Sequence, residues 1–263
     1  MEDYFQVSNF EKVVRRDEWP RFQCRVERNT DLILSILNQS ELKATFFILG
    51  WIAEAYPALV KRIAAQKHEM ASHGWSHRAI YKQSRHEFET ETCRAVSLLQ
   101  DLTGEKVLGY RAASFSITKK TPWALDFLQK LGLAYDSSIF PVRHPSYGIP
   151  DARREPHEIR PGFWEFPPAV LRVGPVNLPV AGGGYFRIFP YWLTSLAITR
   201  INRSETPVMV YLHPWEFDPE QPRIKASLQA RFRHYHNLPK TADRLRRLCT
   251  EFKFGPARQV LNI

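Results

Sequence analysis

The chain has 263 residues, of which 44% are hydrophobic and 24% charged, which is ordinary globular usage. That composition excludes disordered, collagen-like and low-complexity classes, and the length suits one large α/β domain able to bury a core unaided. Its formal net charge is +10, a balance that favours anionic partners without naming one.

The N-terminal Met1-Glu2-Asp3-Tyr4 is acidic and lacks the basic-then-apolar order of a signal peptide. Asn29-Thr30-Asp31 predicts a helix start, with Leu32, Ile33, Ile36 and Leu37 at helical spacing behind it. Thr45-Phe46-Phe47-Ile48-Leu49-Gly50 is a short apolar run, expected as a buried strand. Pro57 opens a helix to about Gln66, and Glu69-Met70-Ala71-Ser72 is a short strand ending at His73. A longer helix is expected from His86 to Leu102, closed by Gly104. Val107 to Tyr110 is a strand delivering Arg111. Thr121-Pro122 starts a helix to Lys130, stopped by Gly132, and Leu133-Ala134-Tyr135 is a strand delivering Asp136. The Pro-, Gly- and Arg-rich stretch 140–190 is expected as a loop-rich insertion within a single domain spanning 1–263, with a short strand at Trp164-Glu165-Phe166. Val208 to Leu212 resumes the sheet and ends at His213. Thr241 to Glu251 closes the chain with an amphipathic helix. Alternating strands and helices predict a parallel α/β architecture. No run of 18 apolar residues predicts an integral membrane segment. Cys24, Cys93 and Cys249 are far apart and odd in number, so a disulfide framework is not expected.

The polar residues His73, Arg111, Asp136 and His213 each follow a predicted strand, where parallel α/β folds gather their functional groups. His73-Gly74-Trp75-Ser76-His77 sets two imidazoles four residues apart. On a helical turn they would face one way and could share a metal ion, given a third ligand, preferably a carboxylate. Two surface histidines are the plain alternative for so short a motif. His213 after an apolar run is either a satisfied core histidine or, beside a metal site, a general acid. Arg111 could orient a carboxylate and Asp136 could steady a catalytic group; either could equally be a structural ion-pair member. Ala181-Gly182-Gly183-Gly184-Tyr185 lacks the order of a phosphate loop. It could line a sugar groove, with Tyr185 and Trp215 as stacking surfaces.

Taken together, these residues resemble the polysaccharide deacetylase family, the NodB-homology carbohydrate esterases. The runs that carry the resemblance are Glu2-Asp3-Tyr4-Phe5, Lys43 to Phe47, His73 to Arg78, Gly109-Tyr110-Arg111-Ala112, Tyr135-Asp136-Ser137-Ser138 and His213-Pro214-Trp215-Glu216. They look most like the branch found beside exosortase and exopolysaccharide-biosynthesis genes. The resemblance implies a distorted (β/α) barrel, a divalent metal (zinc first, with Co, Ni or Fe as alternatives) and removal of N-acetyl groups from amino sugars of a bacterial polysaccharide. It implies Asp3, His73 and His77 as metal ligands, with Glu2 a possible substitute for Asp3. It further implies Arg111 orienting the base, Asp136 as the acidic residue of the next motif and His213 as general acid. The implied partner is an N-acetylated polysaccharide or oligosaccharide and no nucleic acid, in the cytoplasm or periplasm of a bacterium.

Two departures qualify it. The family's base aspartate is expected two residues before Glu2, after apolar strand residues, whereas this sequence begins at Met1. The expectation is a first strand truncated by a start assigned too late. A carbohydrate-binding remnant without turnover, and Glu2 as surrogate base, are the competing readings. Ala113 stands where the arginine motif commonly carries proline, which would loosen that loop.

Overall fold

The computed structural model describes all 263 residues. Its strands are β1 Thr45–Ile48, β2 Glu69–Ser72, β3 Gly109–Tyr110, β4 Tyr135–Asp136, β5 His157–Arg160, β6 Phe163–Glu165, β7 Val170–Val173 and β8 Val176–Pro179. The helices are α1 Val26–Gln39, α2 Gly50–Ala55, α3 Pro57–Ala65, α4 Arg85–Thr103, α5 Trp123–Lys130, α6 Gly183–Ile188, α7 Tyr191–Asn202, α8 Leu228–Tyr235, α9 Thr241–Glu251 and α10 Ala257–Leu261. One six-stranded sheet runs in the order β1-β2-β3-β4-β6-β5, and β7 pairs β8 in a separate hairpin. The first five of those strands are mutually parallel and only β5 is antiparallel. Parallel strands need covering on both faces, which is why β1 and β2 are almost wholly buried. The result is the mixed α/β fold of a distorted barrel, as expected from the sequence.

Local chemistry explains several boundaries. The hydroxyl of Ser84 accepts the Glu87 N–H while the Glu87 carboxylate accepts the Ser84 N–H, a capping box that opens α4. Gly104 ends α4 at φ +68°, a left-handed turn that favours glycine.

Three expectations change. Helix α1 begins at Val26, and Asn29 and Thr30 are buried inside it. The cap comes from far away in sequence: the Asp3 carboxylate accepts the N–H groups of Arg25 and of Val26, the latter at 2.8 Å. The 140–190 stretch is more than a loop-rich insertion. Its β6 is parallel to β4, pairing Asp136 with Glu165, and only the β7–β8 hairpin stands off the main sheet. The run 208–212 is not a regular strand. It joins by single parallel rungs, Met209 to Pro168 and Tyr211 to Gly182. Gly182 is required there, since a Cβ would lie 2.3 Å from the Tyr211 ring.

Beside β1, Met1 occupies one rung of parallel pairing: its amino group donates to the Phe47 carbonyl and its own carbonyl accepts the Leu49 N–H. That places Glu2 and Asp3 just past the carboxyl end of β1. Between β1 and residues 208–212 lies a cavity of about 1140 Å³ that reaches the cluster of polar groups described next.

Candidate metal and catalytic site

Histidine 73 leaves the end of β2, and the chain then turns through Gly74 at φ +72° and His77 at φ +49°. The four-residue spacing therefore works through a non-helical turn, not the helical one expected. The two rings lie 5.1 Å apart, centroid to centroid. His73 Nδ1 is 2.7 Å from the Arg111 carbonyl oxygen. A carbonyl can only accept, so Nδ1 carries the hydrogen and Nε2 presents its lone pair. Burial pushes His73 down to about 4, so the ring is neutral near pH 7.

Glu2 faces both rings. Its Oε2 is 2.6 Å from His77 Nε2 and 3.6 Å from His73 Nε2. Burial by itself would raise this carboxyl, but His77 and His73 hold it well below the usual range. Glu2, His73 and His77 are all buried, with one ligand atom of each within 4.8 Å of the others. Two imidazole nitrogens and one carboxylate oxygen form a three-ligand set that fits a catalytic divalent ion, zinc included.

Asp3 is not in this group. One of its oxygens accepts the N–H groups of Arg25 and Val26 and the Cys24 thiol at 2.8 Å, and the other accepts the Tyr4 N–H at 2.7 Å. Burial pushes its carboxyl up, and those donors pull against that rise. Its role here is to cap α1, and its neighbour Glu2 is the acidic member of the three-residue group.

His213 presents Nε2 toward the same point, 4.0 Å from Glu2 Oε1. Its Nδ1 lies 2.6 Å from Glu216 Oε1, which also accepts the His213 N–H at 3.0 Å. The other Glu216 oxygen pairs with Arg187 Nε at 2.7 Å, both side chains being fully buried. Burial works against the Glu216 charge, but Arg187 and His213 keep its carboxyl below its ordinary value. The remaining Arg187 donors reach the carbonyls of Arg233, His234 and His236. Arg187, Glu216 and His213 thus form a relay that fixes one imidazole. Glu216 and Arg187 were not among the sequence candidates. The Glu three residues after His213 was the visible signal, as a capping-box spacing.

The other expected residues sit elsewhere. Trp215 is buried, stacked parallel between His213 at 5.6 Å and His234 at 4.0 Å, so it offers no open face to a sugar. Tyr185 is half-buried and lines the cavity. Asp136 does not reach His213: its carboxylate accepts the Ser138 N–H at 3.0 Å and the Ser138 hydroxyl at 2.6 Å. Arg111 donates to the Ser137 carbonyl at 3.0 Å and the Ser137 hydroxyl at 2.6 Å, and lies 4.2 Å from the Phe47 ring centroid. Burial lowers Arg111 to about 10; it contacts the site through its backbone carbonyl on His73.

Asp136 and Glu165 form a separate buried pair across β4 and β6. Burial raises Asp136 to about 6, and burial plus the Asp136 charge raises Glu165 well above the carboxyl range. A folded pKa above the unfolded one stabilises the fold below the unfolded value, and that stability is lost as pH rises. Glu165→Gln keeps an acceptor for the Ile139 N–H and needs no proton. Its thermal midpoint should therefore gain on the wild type as pH rises from about 4 to about 7; a constant difference across that window would refute the shared-proton pair.

Comparison with known proteins agrees with this picture. Residues 17–135 match the family model "Polysaccharide deacetylase", and residues 137–262 match "Domain of unknown function (DUF3473)". A peptidoglycan-N-acetylglucosamine deacetylase of Bacillus cereus is 39% identical over 28% of this chain and 27% of its own length. The corresponding enzyme of Listeria monocytogenes is 36% identical over 27% of this chain and 16% of its own. The match therefore spans about a quarter or less of these relatives. The crystal structure of a polysaccharide deacetylase homologue from Mycobacterium smegmatis superposes with a TM-score of 0.59 at 20% identity, covering 89% of this chain and 76% of that one, a likeness of fold. Through residues 17–135, the chain is similar to the polysaccharide deacetylase family.

Proposed function

We propose that this protein is a metal-dependent hydrolase that removes N-acetyl groups from amino sugars of a bacterial polysaccharide, in exopolysaccharide biosynthesis. The observation that carries this reading is the convergence of Glu2, His73 and His77 with the Nε2 of a Glu216-held His213 on one point. The deacetylase relatives and the family match support the substrate class. No helix is long and apolar enough to cross a membrane; the cytoplasm or periplasm of a bacterium is the proposed setting.

A divalent ion held by Glu2, His73 and His77 would supply Lewis-acid chemistry, polarising the amide carbonyl and making water a better nucleophile. His73 is turned toward that ion by the Arg111 carbonyl, and Glu2 is locked by its neighbour Asp3. Hydrolysis adds water oxygen to the acetyl carbon and breaks the C–N bond; the water gives up its protons, and over the whole reaction the departing nitrogen gains them. His213 Nε2 is placed to deliver one, and Glu216 stabilises the imidazolium that delivers it. Released acetate and free amine are the products.

Binding without turnover is the second reading. It is favoured by the acidic residues that line the cavity: Glu2 is engaged by both imidazoles, and Glu11 by Arg16 and Lys82. Acetate release from N-acetylchitooligosaccharide, measured with and without chelator, separates the two. Chelator-sensitive release is the expected result. Tight oligosaccharide binding with no acetate from zinc-loaded protein would select the binding reading instead.

A further inference from the structure

One wall of the cavity carries aromatic rings and an unpaired cation. His144 and Tyr147 stack at 3.8 Å with planes 16° apart, and Tyr147 stacks in turn on Phe140 with planes 8° apart. Tyr185 lines the same cavity. The stack closes the Tyr147 faces and leaves half-buried Tyr185 as the ring that can meet a pyranose. Arg233 also lines the cavity, is exposed, and has no carboxylate within the 4.0 Å of an ion pair. It is close enough that its charge adds to burial in lowering His144 and acts on Tyr147 as well. Its backbone is pinned, because buried Arg187 holds its carbonyl at 2.9 Å, so the free guanidinium springs from a rigid base. The cavity lining holds a second cation. Lys12 is exposed, likewise without an acidic partner, and lines the same cavity. Glu2 and Glu11 are the only acidic residues lining the cavity, and both are already engaged.

We propose that this wall is a subsite for an acidic sugar: the Tyr185 ring takes the pyranose, and Arg233 takes its carboxylate. Planar carboxylate suits a guanidinium, which grips it with two parallel hydrogen bonds. The inference rests on the deacetylase reading for the neighbouring N-acetyl unit, and it names the polymer's chemical class as one in which uronic acids alternate with, or flank, N-acetylhexosamines.

The test compares one oligosaccharide of alternating N-acetylglucosamine and glucuronic acid with its carboxyl-methyl ester, which has the same shape and linkages but no charge. Calorimetric titration of the full-length zinc-loaded protein should show the free acid binding about tenfold tighter at low salt, an advantage that shrinks as salt rises. In Arg233→Gln the acid-to-ester ratio should fall toward one, and Arg233→Lys should restore part of it. Equal affinity for acid and ester in the wild type, or a preference that survives Arg233→Gln, overturns the proposal. Acetate release from neutral N-acetylchitooligosaccharide is scored separately. Its absence with the acid preference intact would sink the deacetylase reading alone, and its presence with no acid preference would sink the subsite alone.

Discussion

Glu2→Gln is expected to strip the protein of zinc, whereas the adjacent Asp3→Asn should leave zinc in place and cost stability instead. Changes one step removed from a metal typically cost 10–100-fold in affinity, so loss of one of three direct ligands should cost more than about 100-fold. His73→Ala and His77→Ala should match Glu2→Gln in a chelator-competition titration. Asp3→Asn keeps one carbonyl oxygen where the carboxylate used two, so the Tyr4 N–H or the Arg25 and Val26 N–H groups must face its NH2, and one donor left unsatisfied costs about 1–3 kcal/mol. Its signature is a lower urea midpoint at unchanged zinc content. Zinc kept by Glu2→Gln and lost by Asp3→Asn would reverse the assignment.

The second large effect lies along the relay behind His213. His213→Ala should retain zinc yet lose nearly all acetate release, since general acid catalysis contributes about 10²–10⁴-fold. Glu216→Gln should keep the fold and reduce kcat while leaving KM for the oligosaccharide close to the wild-type value. The amide holds the ring less firmly and cannot stabilise an imidazolium as the carboxylate does. Arg187→Met is a different case. It strands the Glu216 carboxylate in a fully buried position and leaves three carbonyls without their donor, so about 3–5 kcal/mol of stability should go. A melting temperature unchanged in Arg187→Met would show that the relay is not structural. Full acetate-release rates in His213→Ala would remove its acid role.

Much of this architecture was visible locally. The apolar runs at 45–48 and 69–72 and the turn at Gly104 are short-range signals, and the elements form where those signals stand. His73, His77 and His213 were legible for the same reason: each follows a short apolar run and emerges at one end of the sheet. What was not legible depended on pairing across the chain. The start of α1 is set by a carboxylate 23 residues away, and no helix-start motif near Val26 announces it. Glu2 and Asp3 are chemically similar neighbours, and only the direction of each side chain separates ligand from cap. Trp215 looked like a sugar platform because indoles often are; two histidines occupy its faces. Asp136 and Glu216 are both acidic and both buried, and only three-dimensional placement shows which one reaches His213.

The capping of α1 by Asp3 carries a thermodynamic consequence. Because Glu2 and Asp3 are consecutive, the backbone segment that positions the proposed metal ligand is the same one that starts a fourteen-residue helix. Occupancy of the pocket and order in that helix are then linked functions, each raising the free energy needed to undo the other. Metal loading should slow amide exchange in the first turn of α1, a surface that touches no ligand atom, and helix-weakening changes near Cys24 to Val26 should raise the metal dissociation constant without altering a single donor.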